Sequence, residues 1–436
     1  MNRYIGTIQS PFKDELVEMV NLTISENLIE IEFSSSLRAT NNVGIIKGVF
    51  NGLGTVTFLN CSVSGSSMGS GGNLIKYRSE YMFKGIHFNE INELNLDRVY
   101  VEMIGLHRWI KLPNINNDLY SNNTLTIDSI EDIDVFQNDE FSLEFWPYYS
   151  QHLKREDNST TIKTKVSLRI KSKTKIDFWE YLNLINEIKK IIHLLSNEST
   201  KSDSITFYTT DNVIVDLFSE DNSSIEGKSF TNSSLKFSEI SNLHSLFDNW
   251  FKNQDIQTSI DLILEKSKNI KLSRENYFLN NCFAIETFHR RFRNLTLHEP
   301  SEFKKIKNQI LLNLEESDIK RTIELGLSYI NQPNFRMRLL DFKNDFDSIL
   351  LKENTTEEYI TKIVKTRNFL VHRSSIKNTF DDFDLLYSAI FLENLVKINI
   401  LRLIGVEDKL LEKYISNIQG RVEDLYYANK SREFDR

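Results

Sequence analysis

Residues Thr164–Asn197 read TKVSLRIKSKTKIDFWEYLNLINEIKKIIHLLSN, and the hydrophobic period changes inside them. From Thr164 to Ile170 apolar and polar residues alternate, the signature of a half-buried strand. From Ile176 the apolar residues recur at three and four, which predicts a helix of about six turns packed against the strands before it. The chain is therefore expected to hold both kinds of element in one domain.

Working outward toward the N-terminus, the strand period dominates. β-Branched or alternating runs occur at Leu28–Phe33, Gly44–Phe50, Thr55–Asn60, Tyr77–Ile86, Val99–Leu106 and Leu143–Tyr148. Between two of them, Asn51–Gly54 (NGLG) supplies residues that tolerate positive φ, so 44–60 reads as a hairpin. The segment Ser62–Asn73, SVSGSSMGSGGN, offers almost nothing to bury and is expected to be a mobile surface loop. It is not a P-loop, because no lysine follows its glycines where one must meet the terminal phosphates.

Working outward toward the C-terminus, two short strands are expected at Ser204–Thr209 and Val213–Phe218, before a Ser/Asn-rich break near 221–235. Beyond it the helical period takes over. Helices are predicted at about 239–268, 273–296, 301–330, 335–350, 355–373, 381–404 and 407–429, the third of them long enough to be two. Ser273, Ser301 and Thr355 or Thr356 are the predicted caps, each followed by acids that suit the positive helix end. With no repeat of about 20 to 50 residues, a bundle is expected rather than a solenoid. The fold class is α+β: a β-rich domain over 1–238, then an all-α domain over 239–436.

The composition agrees. A chain of 436 residues suits two or three domains of about 100 to 200 residues. Its 40% hydrophobic and 26% charged residues are those of an ordinary globular protein. Lys and Arg number 53 against 61 acids, net −8, so any nucleic-acid site must be a local patch. Two distant cysteines, Cys61 and Cys282, favour a reducing cytoplasm. No run of about 18 apolar residues predicts a membrane span, and the charged N-terminus is unlike a signal peptide.

The sharpest chemical feature is KTRNFLVHR, Lys365–Arg373. Within a predicted helix, Asn368 and His372 fall one turn apart on one face, and Arg367 beside them is long enough to reach the same spot. Such a trio suits metal-free RNA cleavage, in which a 2′-hydroxyl attacks its own phosphate. A histidine moves protons, an arginine neutralises the phosphoryl oxygens, and the asparagine fixes one or the other. The spacing alone does not decide, since RNLTLH at Arg293–His298 has the same form. That copy runs into Glu299-Pro300, where a helix should end, whereas Ile363, Val364, Phe369 and Leu370 give the later copy a packing stripe.

A second cluster lies in AIETFHRRFRN, 284–294, where Glu286 and Arg290 share a helix face, Arg293 is close and His289 falls on the neighbouring face. The bland reading is a solvated intrahelical pair. In the functional one, Glu286 or Arg290 faces the motif helix, orienting His372 or gripping RNA, and the basic run His289, Arg290, Arg291 and Arg293 with Arg367 and Arg373 supplies the local positive patch. Two rivals stand beside this. Asp216 with Glu226 and Lys228 form a faint metal-nuclease pattern, and the helical half read as a mere dimerisation bundle leaves a non-catalytic binding or adaptor protein. Asp381, Asp382 and Asp384 fall where a helix should start and read as caps, and zinc motifs are absent.

An all-α domain with Arg-Asn-x-x-x-His late in it resembles the HEPN superfamily, whose ribonucleases use an Arg-x4-6-His motif. The whole arrangement resembles the ApeA-like anti-phage proteins, on GVFNGLGTVTFLNC, YRSEYMFKGIHF, EFWP, AIETFHRRF and KTRNFLVHR. The resemblance implies a metal-independent endoribonuclease with no cofactor, Arg367 and His372 as its catalytic pair and Asn368 as the motif's polar residue. It also implies a homodimer, abortive infection once a phage-derived trigger is sensed, and tRNA as a candidate target. The β-rich domain is then the expected sensor or inhibitory lid.

Overall fold

The computed structural model describes residues 2–416 apart from 14, 26–27, 37–41, 70–71, 104, 111–115, 119–123, 127–130, 155–158, 220–234, 269–270, 294, 315–317, 347–356 and 374–376. The chain divides into two compact units, Met1–Phe230 with Ser234–Asp248, and Thr231–Ser233 with Asn249–Arg436.

Among the described residues the first unit holds the strands β1 (Asn2–Gln9), β2 (Leu16–Ser25), β3 (Leu28–Ser35), β4 (Asn42–Phe50), β5 (Gly54–Gly69), β6 (Gly72–Lys84), β7 (Leu96–Met103), β8 (Asn116–Asp118), β9 (Thr124–Thr126), β10 (Ile133–Gln137), β11 (Phe141–Lys154), β12 (Ser159–Ser172), β13 (Ser202–Thr209) and β14 (Ile214–Ser219). β8 and β9 pair with each other, and the other twelve form one antiparallel sheet. Part of that sheet closes: β1, β2, β3, β6, β5 and β4 pair in turn, and β4 returns to β1. β6 is the shared strand. Its residues 73–78 pair with β3, while 81–84 pair with β14, which leads into the open run β14-β13-β7-β12-β11-β10.

Alternation explains the barrel's filling. Val20 and Leu22, Ile29, Ile31 and Phe33, Val56 and Phe58, and Ile75 and Tyr77 point inward at every second position and are buried. Phe33 stacks on Tyr77 at 6.2 Å and Phe50 meets Phe58 edge-on at 5.9 Å. The seam where β1 meets β4 is tight: a Cβ on Gly48 would sit 2.7 Å from the Thr7 carbonyl, so only glycine lets the strands approach.

The predicted hairpin over 44–60 forms as β4 and β5, with Gly52 and Gly54 at φ of 80° and 78° in its turn. The expectation of a mobile loop over 62–73 fails: Ser62–Gly69 and Gly72–Asn73 are the paired ends of β5 and β6. Strand pairing uses backbone groups, so a stretch with little to bury can still extend a ladder whose neighbours hold the register.

On the open sheet, helices α1 (Leu106–Ile110) and α2 (Phe178–Ser196) complete the first unit's core. α2 is the helix read from 176 onward. Asp177 caps it and Glu180 returns the bond, a reciprocal capping box. Its buried face places Phe178 5.0 Å from Phe83, and the Tyr181 hydroxyl donates to the Asp97 carbonyl at 2.9 Å.

The remaining helices are α3 (Leu243–Lys252), α4 (Gln257–Lys268), α5 (Arg274–Phe292), α6 (Pro300–Leu312), α7 (Asp318–Ile330), α8 (Phe335–Phe346), α9 (Glu357–His372) and α10 (Asp382–Leu403), with 408–416 also helical. The predicted 239–268 helix is two, α3 and α4, separated by a short 3₁₀ turn at Gln254–Ile256. The 301–330 prediction is likewise two, α6 and α7. Ser273 caps α5 as expected. Ser301 does not cap α6, which begins at Pro300 after Glu299, because proline's fixed φ suits the first helical position. Thr355, Thr356 and the predicted helix beyond 416 lie outside the described residues.

α5 is the centre of the second unit and packs on α4, α8, α9 and α10. Tyr277, Phe278, Cys282, Ile285 and Phe288 are buried along it, opposite the apolar face of α10. α8 and α9 meet the C-terminal half of α5, where Phe342 of α8 lies edge-on to His289 and Arg367 of α9 pairs with Glu286.

Candidate active site

α9 carries the Arg-Asn-x-x-x-His sequence. Ile360, Ile363 and Thr366 are its buried stripe, which fixes the helix rotation. The Thr366 hydroxyl also accepts the Phe380 amide at 3.0 Å, tying α9 to the chain that enters α10. With that face inward, Arg367 turns toward α5. Its Nη2 lies 3.4 Å from Glu286 Oε1, its Nη1 donates to Asn368 Oδ1 at 3.3 Å, and its guanidinium sits 5.9 Å from the Phe335 ring. Nε of Arg367 is buried without a hydrogen-bond partner among the described residues.

His372 is the last residue of α9 and is exposed. It was expected within the body of the helix. Instead Arg373 turns to φ 50°, its amide reaching the Phe369 carbonyl at 2.8 Å, and closes the helix one residue later. The motif therefore has a half-buried cation held by an ion pair and a solvent-facing imidazole one turn beyond Asn368.

Residues 3–250 match the family described as ApeA N-terminal domain 1, and residues 279–410 match Apea-like HEPN. The chain belongs to the ApeA family. No curated protein and no solved structure matches it. The HEPN match runs from α5 past the end of α10, so it includes both helices of the Arg367–Glu286 pair. HEPN domains are generally ribonucleases, and an ApeA-like one supports a nuclease role in anti-phage defence.

In this ApeA-family chain the other residues singled out by sequence take different places. Glu286 faces the motif helix and pairs across helices with Arg367. Arg290 and Arg373 are exposed. Arg293 turns into the bundle: it donates to Asn399 Oδ1 at 2.9 Å and lies 5.4 Å from the Phe342 ring. The second Arg-Asn-x-x-x-His copy ends at His298, in a bend whose backbone exchanges hydrogen bonds with the Asn331 side chain at 2.8 and 3.0 Å. Among the described residues no three His, Cys, Asp or Glu side chains are grouped to hold a metal. Asp216 bonds Lys84 at 3.0 Å, and Glu226 and Lys228 lie outside the described residues. Asp381 caps α10, Asp382 pairs with Arg274 and Asp384 with Lys362. No helix among the described residues is long and apolar enough to cross a membrane.

The helix predicted at 335–350 forms as α8, but its part in the site was not foreseen. Arg338 is buried beside the site, its Nη1 bonded to His289 Nδ1 at 3.0 Å, while His289 Nε2 lies 3.3 Å from Asp341 Oδ2. Since Arg338 can only donate, His289 Nδ1 must accept, and the proton sits on Nε2 facing Asp341. The signal was present: Phe335, Arg338, Leu339 and Phe342 fall at helical spacing, which sets Arg338 inside an apolar stripe.

Burial, then the charges of Arg338 and Arg293, push His289 down to about 4 against the opposing pull of Asp341. It is neutral in the folded protein at pH 7. Between an ordinary 6.5 and about 4, the unfolded chain binds a proton that the folded chain refuses, so stability falls as pH drops through that window. The loss is on the order of 2–3 kcal/mol by pH 4. Urea midpoints over that range should therefore fall more steeply in wild type than in His289→Gln; equal slopes would contradict the assignment.

Proposed function

We propose that the helical unit is a metal-independent endoribonuclease. The 2′-hydroxyl of an RNA nucleotide attacks its own 3′-phosphate, leaving a 2′,3′-cyclic phosphate and a free 5′-hydroxyl. His372 transfers the proton, Arg367 neutralises the non-bridging oxygens, and Asn368 and Glu286 hold Arg367 in place. The observation that carries this reading is the Arg367–Glu286 pair, which fixes a motif residue from a second helix. Arg290 and Arg373, both exposed, are the candidate backbone contacts.

One exposed histidine gives one proton shuttle, whereas the reaction needs a base and an acid. Two copies facing across a groove supply both, so the working form in this reading is a homodimer. Light scattering that gave only a monomer in the presence of RNA would count against the pair. In the cell the substrate is RNA, with tRNA as the first candidate, cut to halt translation after a phage-derived trigger is sensed.

The test is incubation of the purified chain with labelled total RNA in EDTA. Cleavage at the rate seen with magnesium is expected, because no step uses a metal. Loss of cleavage in EDTA would turn the reading toward a metal nuclease.

A further inference from the structure

Beside the Arg367–Glu286 pair the charges do not balance. Arg290, Arg293, Arg338 and Arg367 bring four positive charges to neighbouring turns of α5, α8 and α9, against Glu286 and Asp341. Arg293 is committed to Asn399 and Glu286 to Arg367. Asp341 faces a neutral histidine, so Arg338 has no carboxylate bonded to it among the described residues. Only 5% of Arg338 is exposed, and its side chain's one hydrogen bond among the described residues is to His289 Nδ1. A guanidinium carries five N–H donors, and none of Arg338's is among the fully buried unpartnered atoms, so those not bonded to His289 reach the surface and can meet a ligand.

The surroundings deepen the imbalance. Burial and the nearby Arg290 both disfavour the charged form of Arg338, with Glu286 opposing them. Two neighbouring arginines, one of them buried, suit a bridging anion. His289 contributes orientation: facing Asp341 at 3.3 Å without a hydrogen bond to it and accepting from Nη1, it sets the guanidinium's place and leaves the remaining donors for a ligand. Phe335 lies one turn before Arg338 on α8 and contacts Arg367, and Glu286, which pairs with Arg367, also acts on Arg338, so the two arginines flank one carboxylate.

We propose that Arg338, with Arg290 at its rim, forms a second phosphate subsite next to Arg367, and that it takes a neighbouring phosphodiester of the same RNA strand. His289 and Asp341 are its positioning residues. The subsite rests on the ribonuclease reading for its ligand, although its geometry does not depend on that chemistry. It gives the strand two anchored phosphates, which sets the direction of the backbone across α8 and α9.

The experiment is equilibrium binding of a short fluorescein-labelled single-stranded RNA of mixed sequence, by anisotropy over a salt series in EDTA. The chain carries His372→Ala so that no cleavage intervenes. Removing one arginine that neutralises a phosphate of a single strand should flatten the plot of log K against log salt by about 0.7. Arg338→Met and Arg290→Gln are each expected to flatten it by about that much and to weaken low-salt binding on the order of tenfold. If Arg338→Met fails to fold, Arg338→Gln, which keeps polar donors in place but removes the charge, decides by the same criterion. Unchanged slopes in the folded variants, or no RNA binding by the parent, overturn the proposal. Inorganic phosphate that stabilises the parent but not Arg338→Met, with RNA slopes unchanged, assigns the pocket to a free phosphate and overturns the RNA assignment. RNA left uncut by wild type while the slopes still fall would sink the ribonuclease reading and leave the subsite standing.

Discussion

His372→Ala is expected to lower RNA cleavage by about 10²–10⁴-fold, the usual worth of a positioned general acid or base. Arg367→Ala is expected to cost about 10²–10³-fold, the worth of one donor aimed at developing charge. The first substitution is clean, because His372 is exposed at the end of α9 and removes no core packing. The second leaves Glu286 half-buried and unpaired, so folding must be checked alongside rate. Arg367→Lys should not restore activity, since an ammonium cannot hold Glu286, Asn368 and a phosphate together. His298→Ala is the control: its backbone, not its ring, ties the bend to Asn331, and cleavage should be unchanged. Single-turnover rates on one labelled RNA measure all four. Equal loss in His298→Ala and His372→Ala would remove the motif assignment.

Phe58→Ala carries the largest expected effect on stability. Phe58 is fully buried in the barrel, packed edge-on against Phe50, and truncation there should cost about 3–5 kcal/mol by reduced burial and the cavity left behind. The barrel has little room to collapse around it, since the Gly48 seam already brings the two backbones into van der Waals range. Urea unfolding followed by far-UV circular dichroism checks it. A shift below about 1 kcal/mol would mean the six strands do not enclose a packed core.

What the sequence revealed follows from how local each signal was. The hairpin over β4 and β5 was legible because Gly52 and Gly54 must take positive φ in its turn. The helix from Phe178 was legible because its apolar residues recur at three and four over its whole length. The closing of the barrel was not, because the Gly6–Ile8 pairing with Gly48–Phe50 joins residues far apart in the chain. Ser62–Asn73 was misread because composition speaks for side chains, while a strand is held by its backbone.

The candidate site divides the same way. Arg367, Asn368 and His372 stand in one short word, and Glu286 was recoverable as a charge on the face of a long helix. That its partner is Arg367 needed the packing of α5 on α9. Arg338 escaped because an arginine on a predicted helix is read as solvated, and only the burial of α8 against His289 shows otherwise. His298 and His372 looked alike in spacing, and the helix end alone separates them.

In the proposed reaction, cleavage runs through the RNA's own 2′-hydroxyl with no metal. It is tested most directly by the chemistry of the cut ends, analysed by mass spectrometry after digestion of a defined RNA in EDTA. 2′,3′-Cyclic phosphate is expected on one fragment and a 5′-hydroxyl on the other, and an RNA with a single 2′-deoxy substitution at the cut should resist. Fragments ending in 3′-hydroxyl and 5′-phosphate, or cleavage of the 2′-deoxy substrate at the same bond, would contradict it.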